Sequence, residues 1–450
     1  MNSTRQTSAP RTASARGEPG PEILVSTGIG RLHLIDTASA ILARGRTVGL
    51  ITGWVPTPGQ RGLVNIAGRV LGQKRLYERL HDRRRLLGLE GGSVRQLPAA
   101  EAALTLVAKV GLQNDDWLTT WLWSLFGWES RRHLRGARVF HVRSGAGGGG
   151  AIETARRRGM KIVVDHSIAH PTVIWKNLRE NGAPGPEAER FGPTSRFWRR
   201  VMRDCELADA VLVNSDYVRR TLVEQGFAGE KIHVAYLGVD REWLGVKVEH
   251  RALAGQPIRA LFAGHFVKRK GSHLLTEAAR WLREKNVAVE FHVAGQAHDG
   301  PADVVAGGVA SMFQFHGLLG RSELKQLVAD SDLFIFPTLA EGCAKAAMEA
   351  LGAGLPVITT RECGLPETAD GCVQLVPLGQ SEALAAAIEE LGADRDRRAQ
   401  CGAAGVELVR QNFGPDHFAE AVGAFYDELL GLDWAAKAAA RVGTTRGGAR

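Results

Sequence analysis

The sequence predicts an α/β protein of two domains, and three observations carry that expectation. A chain of 450 residues with 44% hydrophobic content can fill two separate cores. Short apolar strand patterns alternate with helical ones in both halves, around 22–51, 139–165 and 331–359, as βαβ units do. The stretch 331–367, SDLFIFPTLAEGCAKAAMEALGAGLPVITTRECGLPE, reads as a complete strand–loop–helix–strand unit.

In chain order, residues 1–20 are Ser, Thr, Arg, Gly and Pro with almost no apolar content. They are expected to be a disordered tail, with an Arg/Ser bias that faintly echoes a transit peptide and no apolar core for a secretory signal. A second tail is expected at 443–450. The first domain, 21–240, opens with a strand at 22–26, the tight loop 27–31, a helical pattern over 34–43 and a strand at 47–51. Gly28 and Gly30 begin a dinucleotide-type fingerprint that His33 leaves incomplete.

Residues 60–135 carry the weakest pattern. Arg83, Arg84 and Arg85 mark a basic stretch, and 115–128 reads DDWLTTWLWSLFGW. Trp117, Trp121, Trp123 and Trp128, with Leu118, Leu122, Leu125 and Phe126, make a helix apolar on more than one face. Two readings stay open: a core helix, or a hydrophobic acceptor groove or membrane-interface contact beside Arg131 and Arg132.

A strand at 139–142, the run 145–150, a helix at 151–158 and a strand at 162–165 follow. Gly145, Gly147 and Gly150 satisfy G-x-G-x-x-G, and Asp165 stands where a ribose-binding acid would. This supports a rival reading as an NAD(P)-dependent oxidoreductase. Against it, Arg143 and Ser144 separate strand from glycine, and the unit lies mid-domain. A close-packed Gly-rich turn is the simpler account. His166 and His170 lie in the loop after the 162–165 strand, the end at which open α/β sheets place ligands. Helices at 196–210 and 216–226 flank a strand at 211–214, with Ser215 a plausible N-cap; a further strand spans 231–237, and residues 241–257 read as a linker.

The second domain, 258–415, opens with a strand at 258–263 and the cationic loop 264–271, holding His265, Lys268, Arg269 and Lys270. Strands are expected at 289–293, 313–315, 332–336, 355–359 and 373–376, and an amphipathic helix at 416–430 within a closing region 416–442. In the central unit, Glu341 lies in the loop at the mouth of the helix 343–351, where free backbone N–H groups and the helix dipole favour anionic or hydroxyl-rich ligands. Glu349 lies one to two turns on, within reach of the same ligand at ~1.5 Å rise per residue. Two carboxylates suit vicinal hydroxyls of a sugar and a ribose. A surface Glu and a helix Glu paired with arginine is the plainer alternative.

EGCAKAAMEALGAGLPVI (341–358) resembles the E-x7-E signature of retaining glycosyltransferases of family 4, in the GT-B superfamily. Glu341, Gly342, Glu349, Ala350, Gly354, Pro356 and Val357 stand where its pattern asks; Cys343 and Ala344 replace the usual Phe-Gly. The resemblance implies two Rossmann-like domains facing a central cleft, with the terminal helix crossing back onto the first domain. It also implies a nucleotide-diphosphate sugar as co-substrate, with no permanently bound cofactor and no metal. It assigns Gly30 to the donor pyrophosphate, and His265, Arg269 and Lys270 to the diphosphate clamp, His265 standing in place of the usual Arg. Gly342, Cys343 and Ala344 fall in the donor-sugar loop, Glu349 at the ribose, and Glu341, His166 and, as the alternative, His170 at the transferred sugar. A GT-B-shaped binding subunit without transfer activity is a second reading.

The formal net charge of +9 calls for an anionic partner. Nucleotide phosphates or an acidic membrane surface answer to it, and nucleic acid is not expected, because no base-stacking module appears. The five cysteines form no C-x-x-C pair, so a reduced cytoplasm is expected, with a peripheral contact to the inner membrane face left open. The acceptor expected is a sugar or a lipid-linked group.

Overall fold

A computed structural model describes residues 21–29, 33–54, 93–109, 115–297 and 300–431. The expected tails, Gly30 and the basic stretch Arg83–Arg85 lie outside the described residues. Among the described residues the strands form two parallel sheets. The first has seven strands: β1 (Ile23–Ser26), β2 (Val48–Thr52), β3 (Ser93–Gln96), β4 (Val139–Arg143), β5 (Lys161–His166), β6 (Ala210–Val213) and β7 (Ile232–Val234), in the order β3-β2-β1-β4-β5-β6-β7. The second has six: β8 (Ile258–Ala263), β9 (Val289–Ala294), β10 (Phe313–Gly317), β11 (Leu333–Phe336), β12 (Val357–Thr359) and β13 (Val373–Leu375), in the order β10-β9-β8-β11-β12-β13.

The central strands are short, β-branched or aromatic, and buried on both faces. Ile23, Val25, Phe140, Val142, Val163, Phe334 and Ile335 are all inaccessible or nearly so, as strands covered by helices on both sides must be. Strand order reverses between β1 and β4 in the first sheet and between β8 and β11 in the second. At such a switch point the two outgoing loops diverge and leave a crevice beyond the carboxyl ends of the strands. The loops leaving β1, β4, β8 and β11 are therefore the ones placed to meet a ligand.

The helix Pro415–Leu429 packs on the first sheet's side of the molecule. Phe418, Val422, Phe425 and Tyr426 join a core with Leu34, Ala38 and Ile41 of the helix Leu34–Ala43. Arg46 pairs with Asp427, and Tyr426 shares a 2.6 Å hydrogen bond with the buried His141 of β4. The last helix thus returns from the second domain to the first, as the resemblance implies.

The sequence reading left β3 and the helix Pro98–Lys109 unassigned. β3 is an edge strand with Arg95 and Gln96 exposed, so it lacks the apolar run that marks its neighbours. The helix Asp116–Ser130 has a buried face, as the core reading expects, and an exposed one. Asp115 caps it, accepting from Leu118 N at 2.7 Å. Leu122, Trp123 and Phe126 enter the core, whereas Trp117, Trp121 and Trp128 are 58%, 49% and 56% exposed.

The Tyr426–His141 bond is testable. Tyr426→Phe leaves His141 Nδ1 buried without its partner, which costs about 1–3 kcal/mol and lowers Tm by roughly 2–8 °C. An unchanged melting temperature would show that this bond does not hold the returning helix.

Candidate active site between the two sheets

The second sheet contributes two loops. After β11 the chain turns through Pro337 to Ala344 before the helix Lys345–Ala353, which begins without a side-chain cap. After β8 it passes through Gly264 to the 3-10 turn Lys268–Lys270 and Gly271. The two are tied together: Leu339 N and Thr338 Oγ1 both donate to Arg269 O, at 2.8 and 3.1 Å. Gly271 has φ +81°, and a Cβ there would stand 2.1 Å from Pro337 O, so this close approach requires glycine.

The three charged residues predicted here meet. Glu341 Oε1 accepts from Arg269 Nη1 at 2.9 Å and lies 3.2 Å from Lys270 Nζ. Burial alone would raise the Glu341 carboxyl, but Arg269 and Lys270 outweigh it and hold the group below the usual carboxylate range. Oε1 of Glu341 thus serves both cations, so the pairing with arginine that the sequence left as the plainer alternative is present for this residue. Arg269 is also drawn inward, donating to Ala340 O at 2.5 Å. Lys270 Nζ stands 5.2 Å from the centre of the Phe336 ring, and His265 is exposed on the same loop.

Glu349, about one turn along the helix, is partly buried, and burial pushes its carboxyl up to about 7. Lys345 and Arg321 oppose the shift, and Asp240 and Glu242 add to it. Arg321 bonds to Asp240 and also reaches Glu242 at 2.6 Å. The carboxylates of the Asp240–Glu242 turn therefore take up the nearest arginine, and Glu349 stays ready to hold a proton.

Cys343 and Ala344 line the return of the loop. Ala344 N donates to Cys363 O at 3.0 Å, and Glu341 N to Glu362 O at 2.9 Å. Burial raises the Cys343 thiol well above its ordinary value, so it acts as a small apolar side chain. All five cysteines are free.

The first domain supplies the facing wall. Ala169 N donates to Glu341 O at 3.2 Å, Ser215 Oγ to Gly342 O at 2.5 Å, and Asn177 Nδ2 to Leu339 O at 2.8 Å. Arg269 N donates to Glu187 Oε1 at 3.3 Å. Ser215 does cap the helix Asp216–Glu224, accepting from Val218 N at 3.2 Å. That role, which seemed complete in the sequence, is only half of it, since the same hydroxyl reaches the second domain. Asn177, Glu187 and Ser144 are further site residues that the sequence reading missed. None sits in a recognisable motif; the facing of the two sheets brings in Asn177 and Glu187, and Ser144 meets His166 at the neighbouring strand end of the first sheet.

His166 ends β5 and is fully buried, with Nδ1 3.0 Å from Ser144 Oγ and a buried Nε2 that has no partner among the described residues. Burial, with His170 and Arg143 nearby, lowers its pKa to about 4, so the ring is neutral at pH 7. His170 serves differently: its Nδ1 accepts from Thr172 N at 3.2 Å and caps the helix Pro171–Glu180. Of the two candidates, His166 keeps a free ring nitrogen and His170 has a structural task.

The Gly-rich run resolves against dinucleotide binding. Gly145 N and Gly147 N donate to Asp204 Oδ2 at 2.8 and 2.9 Å. Asp204 is fully buried, so amides of the kind that would cradle a phosphate are already used. A Cβ on Gly149 would lie 2.1 Å from Ser124 O, which makes the run a packing surface for the helix Asp116–Ser130. Asp165 is held below the usual carboxylate range: burial opposes this, but His33, 2.8 Å away, and His141 outweigh it. The residue that breaks the first fingerprint thus occupies the acid of the second. Asp116 accepts from Ser195 Oγ, Arg196 N and Phe197 N, and Asp332 pairs with Arg251 at 2.6 Å.

Two predictions follow from these contacts. A Cβ at Gly342 would stand 2.1 Å from Ser167 O, so Gly342→Ala wedges the loop away from the first domain. It is expected to cost about 1–3 kcal/mol, seen as a lower Tm; an unchanged Tm would show that the loop yields freely. For Glu349, the ordinary value is 4.5 and the folded value about 7. The folded state holds the extra proton between them, so its stability is full near 4.5 and declines as pH rises through 7. Glu349→Gln should therefore melt roughly 2–6 °C above wild type at pH well above 7 and level with it near 4.5. A difference independent of pH would refute the assignment.

The family model described as Glycosyl transferases group 1 matches residues 257–394, and that for Glycosyltransferase Family 4 matches residues 93–243. The chain is 30% identical over 250 residues to the amylovoran biosynthesis glycosyltransferase AmsK of Erwinia amylovora, covering 52% of this chain and 55% of that one. It is 27% identical over 304 residues to the MMP alpha-(1->4)-mannosyltransferase of Mycolicibacterium hassiacum, covering 63% and 71%. The chain spans about half the length of the curated relatives it matches at about 30% identity. The crystal structure of Anabaena HepE in complex with UDP-glucose superposes with a TM-score of 0.57 at 17% identity, over 90% of this chain and 99% of that one. The two sheets, the returning helix and the superposition give this chain the GT-B fold, and one segment of each domain matches a glycosyltransferase family model.

Proposed function

We propose that the protein is a retaining glycosyltransferase of family 4 that moves a hexose from a nucleotide-diphosphate sugar to a hydroxyl acceptor, without a metal. The observation that carries this is the meeting of Lys270 and Arg269 with Glu341 at the carboxyl ends of β8 and β11. HepE, of the same fold, has been seen with UDP-glucose.

In this reading the bond between the sugar's anomeric carbon and the diphosphate oxygen breaks as the acceptor oxygen attacks the same carbon from the same face. The acceptor's proton passes to the departing phosphate. Negative charge grows on the diphosphate, and a fixed ammonium at Lys270 stabilises it most where water is excluded. Arg269 assists as Glu341 turns one oxygen to the sugar hydroxyls. Glu349, poised near neutrality, both accepts from and donates to the ribose hydroxyls. His166, neutral, donates from its free nitrogen to a sugar hydroxyl and orients the donor. His265 and the Gly342–Ala344 loop complete the donor wall, and Gly30 is assigned to the pyrophosphate by family analogy. Five free cysteines, four of them buried, suit a cytoplasmic enzyme.

A thermal-shift panel of UDP-, GDP- and ADP-sugars with NAD and NADP tests this, because a ligand raises Tm by mass action. One nucleotide-sugar family is expected to stabilise wild type and to lose most of its effect in Lys270→Ala and Glu349→Ala. Stabilisation by a dinucleotide alone would overturn the assignment. Donor binding without hydrolysis or transfer across an acceptor panel would instead favour a binding subunit.

A further inference from the structure

We propose that the outer face of the helix Asp116–Ser130 docks on an anionic bilayer surface, Trp117, Trp121 and Trp128 entering the interface and Arg95, Arg131, Arg132 and Arg135 meeting lipid phosphates. At about 100° per residue, positions 117, 121 and 128 fall within about 40° of one line along the helix. Each of the three indoles is about half exposed. Leu106, on the neighbouring helix Pro98–Lys109, is 64% exposed. A solitary exposed Leu is ordinary, but an aligned row of indoles beside it is not. Tryptophan combines an apolar body with an N–H donor and is favoured where hydrocarbon meets headgroups.

Charge selects the occupant. Arg131 follows the last turn of the helix, its N–H donating to Trp128 O. Arg131, Arg132 and Arg135 are exposed, as is Arg95 of β3. Arg95 and Arg132 both bear on His133, at the end of the same helix. Glu129 offsets one of these charges, lying 3.7 Å from Arg132. At the far end Asp115 caps the helix and Asp116 is bonded to Ser195, Arg196 and Phe197. An aromatic row ending in a cluster of arginines matches an acidic lipid surface better than a neutral one or an apolar protein groove.

The placement gives docking a purpose. The inner face of the same helix meets the cleft: a Cβ on Gly28 would lie 2.8 Å from the Trp123 ring, and Arg143 stands 4.8 Å from its centre. Gly28 and Arg143 lie at the carboxyl ends of β1 and β4. About one helix diameter, ~10 Å, therefore separates the tryptophan row from the first domain's side of the cleft. Docking would hold that side against the bilayer and select an acceptor whose hydroxyl is carried on a lipid. That last clause rests on the transfer reading; docking itself does not.

The test is cosedimentation of the full chain with vesicles of phosphatidylcholine alone and of phosphatidylcholine containing about one-third phosphatidylglycerol, at low and high salt. Wild type is expected to bind the anionic vesicles about tenfold more tightly than the neutral ones, and less at high salt. Trp117→Ser/Trp121→Ser/Trp128→Ser and, separately, Arg131→Gln/Arg132→Gln/Arg135→Gln should each lose most of that binding at unchanged Tm. The arginine variant leaves the apolar row intact and decides the matter if the tryptophan variant melts lower. Absence of binding to anionic vesicles, or full binding by the arginine variant, overturns the proposal. So does self-association of wild type, by sedimentation velocity, that the tryptophan variant abolishes while vesicles go unbound. Donor binding is measured without lipid, so either result leaves the other standing.

Discussion

The structure depends on the short loop between β11 and the helix Lys345–Ala353, whose backbone is bonded from both sides. Leu339, Glu341 and Gly342 present their carbonyls to Asn177, Ala169 and Ser215 of the first domain. Thr338 and Leu339 bind back to Arg269 of the second. Buried carbonyls left unbonded would cost free energy comparable to a lost hydrogen bond each, so the two domains satisfy each other's polar groups where they meet. The absence of a side chain at Gly342 allows this, because Ser167 O stands where a Cβ would be.

The same arrangement sets the electrostatics. Arg269 and Lys270 converge on one carboxylate, and Glu341 is kept ionised in a place where burial would otherwise neutralise it. The cations are thereby held in position beside the cleft with their charges partly answered, so an incoming anionic group meets an organised site rather than a mobile one. Glu349 shows the opposite balance. Its nearest arginine is taken by Asp240 and Glu242, and burial prevails. Two glutamates eight positions apart thus differ in protonation because of neighbours that come from elsewhere in the chain.

Packing explains the part of the chain that most resembled a cofactor motif. The run from Gly145 to Gly150 is rich in glycine because a helix lies directly upon it, with Ser124 O and Trp128 too near for any Cβ at Gly149. Its amides are bonded to a buried aspartate whose carboxyl burial raises to about 6. Glycine spacing alone does not distinguish a phosphate cradle from a close helix approach. What distinguishes them is whether the amides are free.

The sequence by itself determined the alternation of buried strands with helices, the position of most strands to within a residue or two, and the glutamate-bearing unit at 341–349. These are local properties: apolar runs, glycine stops and a motif with fixed spacing survive without any tertiary context. β3 and the helix Pro98–Lys109 were not legible, because an edge strand with Arg95 and Gln96 outward carries no apolar run. Nor was the difference between His166 and His170, two histidines in one loop. One has a buried ring nitrogen without a partner among the described residues, and the other caps a helix. Ser215, Asn177 and Glu187 entered the site only when the two sheets were set face to face. Tertiary structure alone decided these, because which groups are buried, bonded or left free depends on what the other domain brings against them.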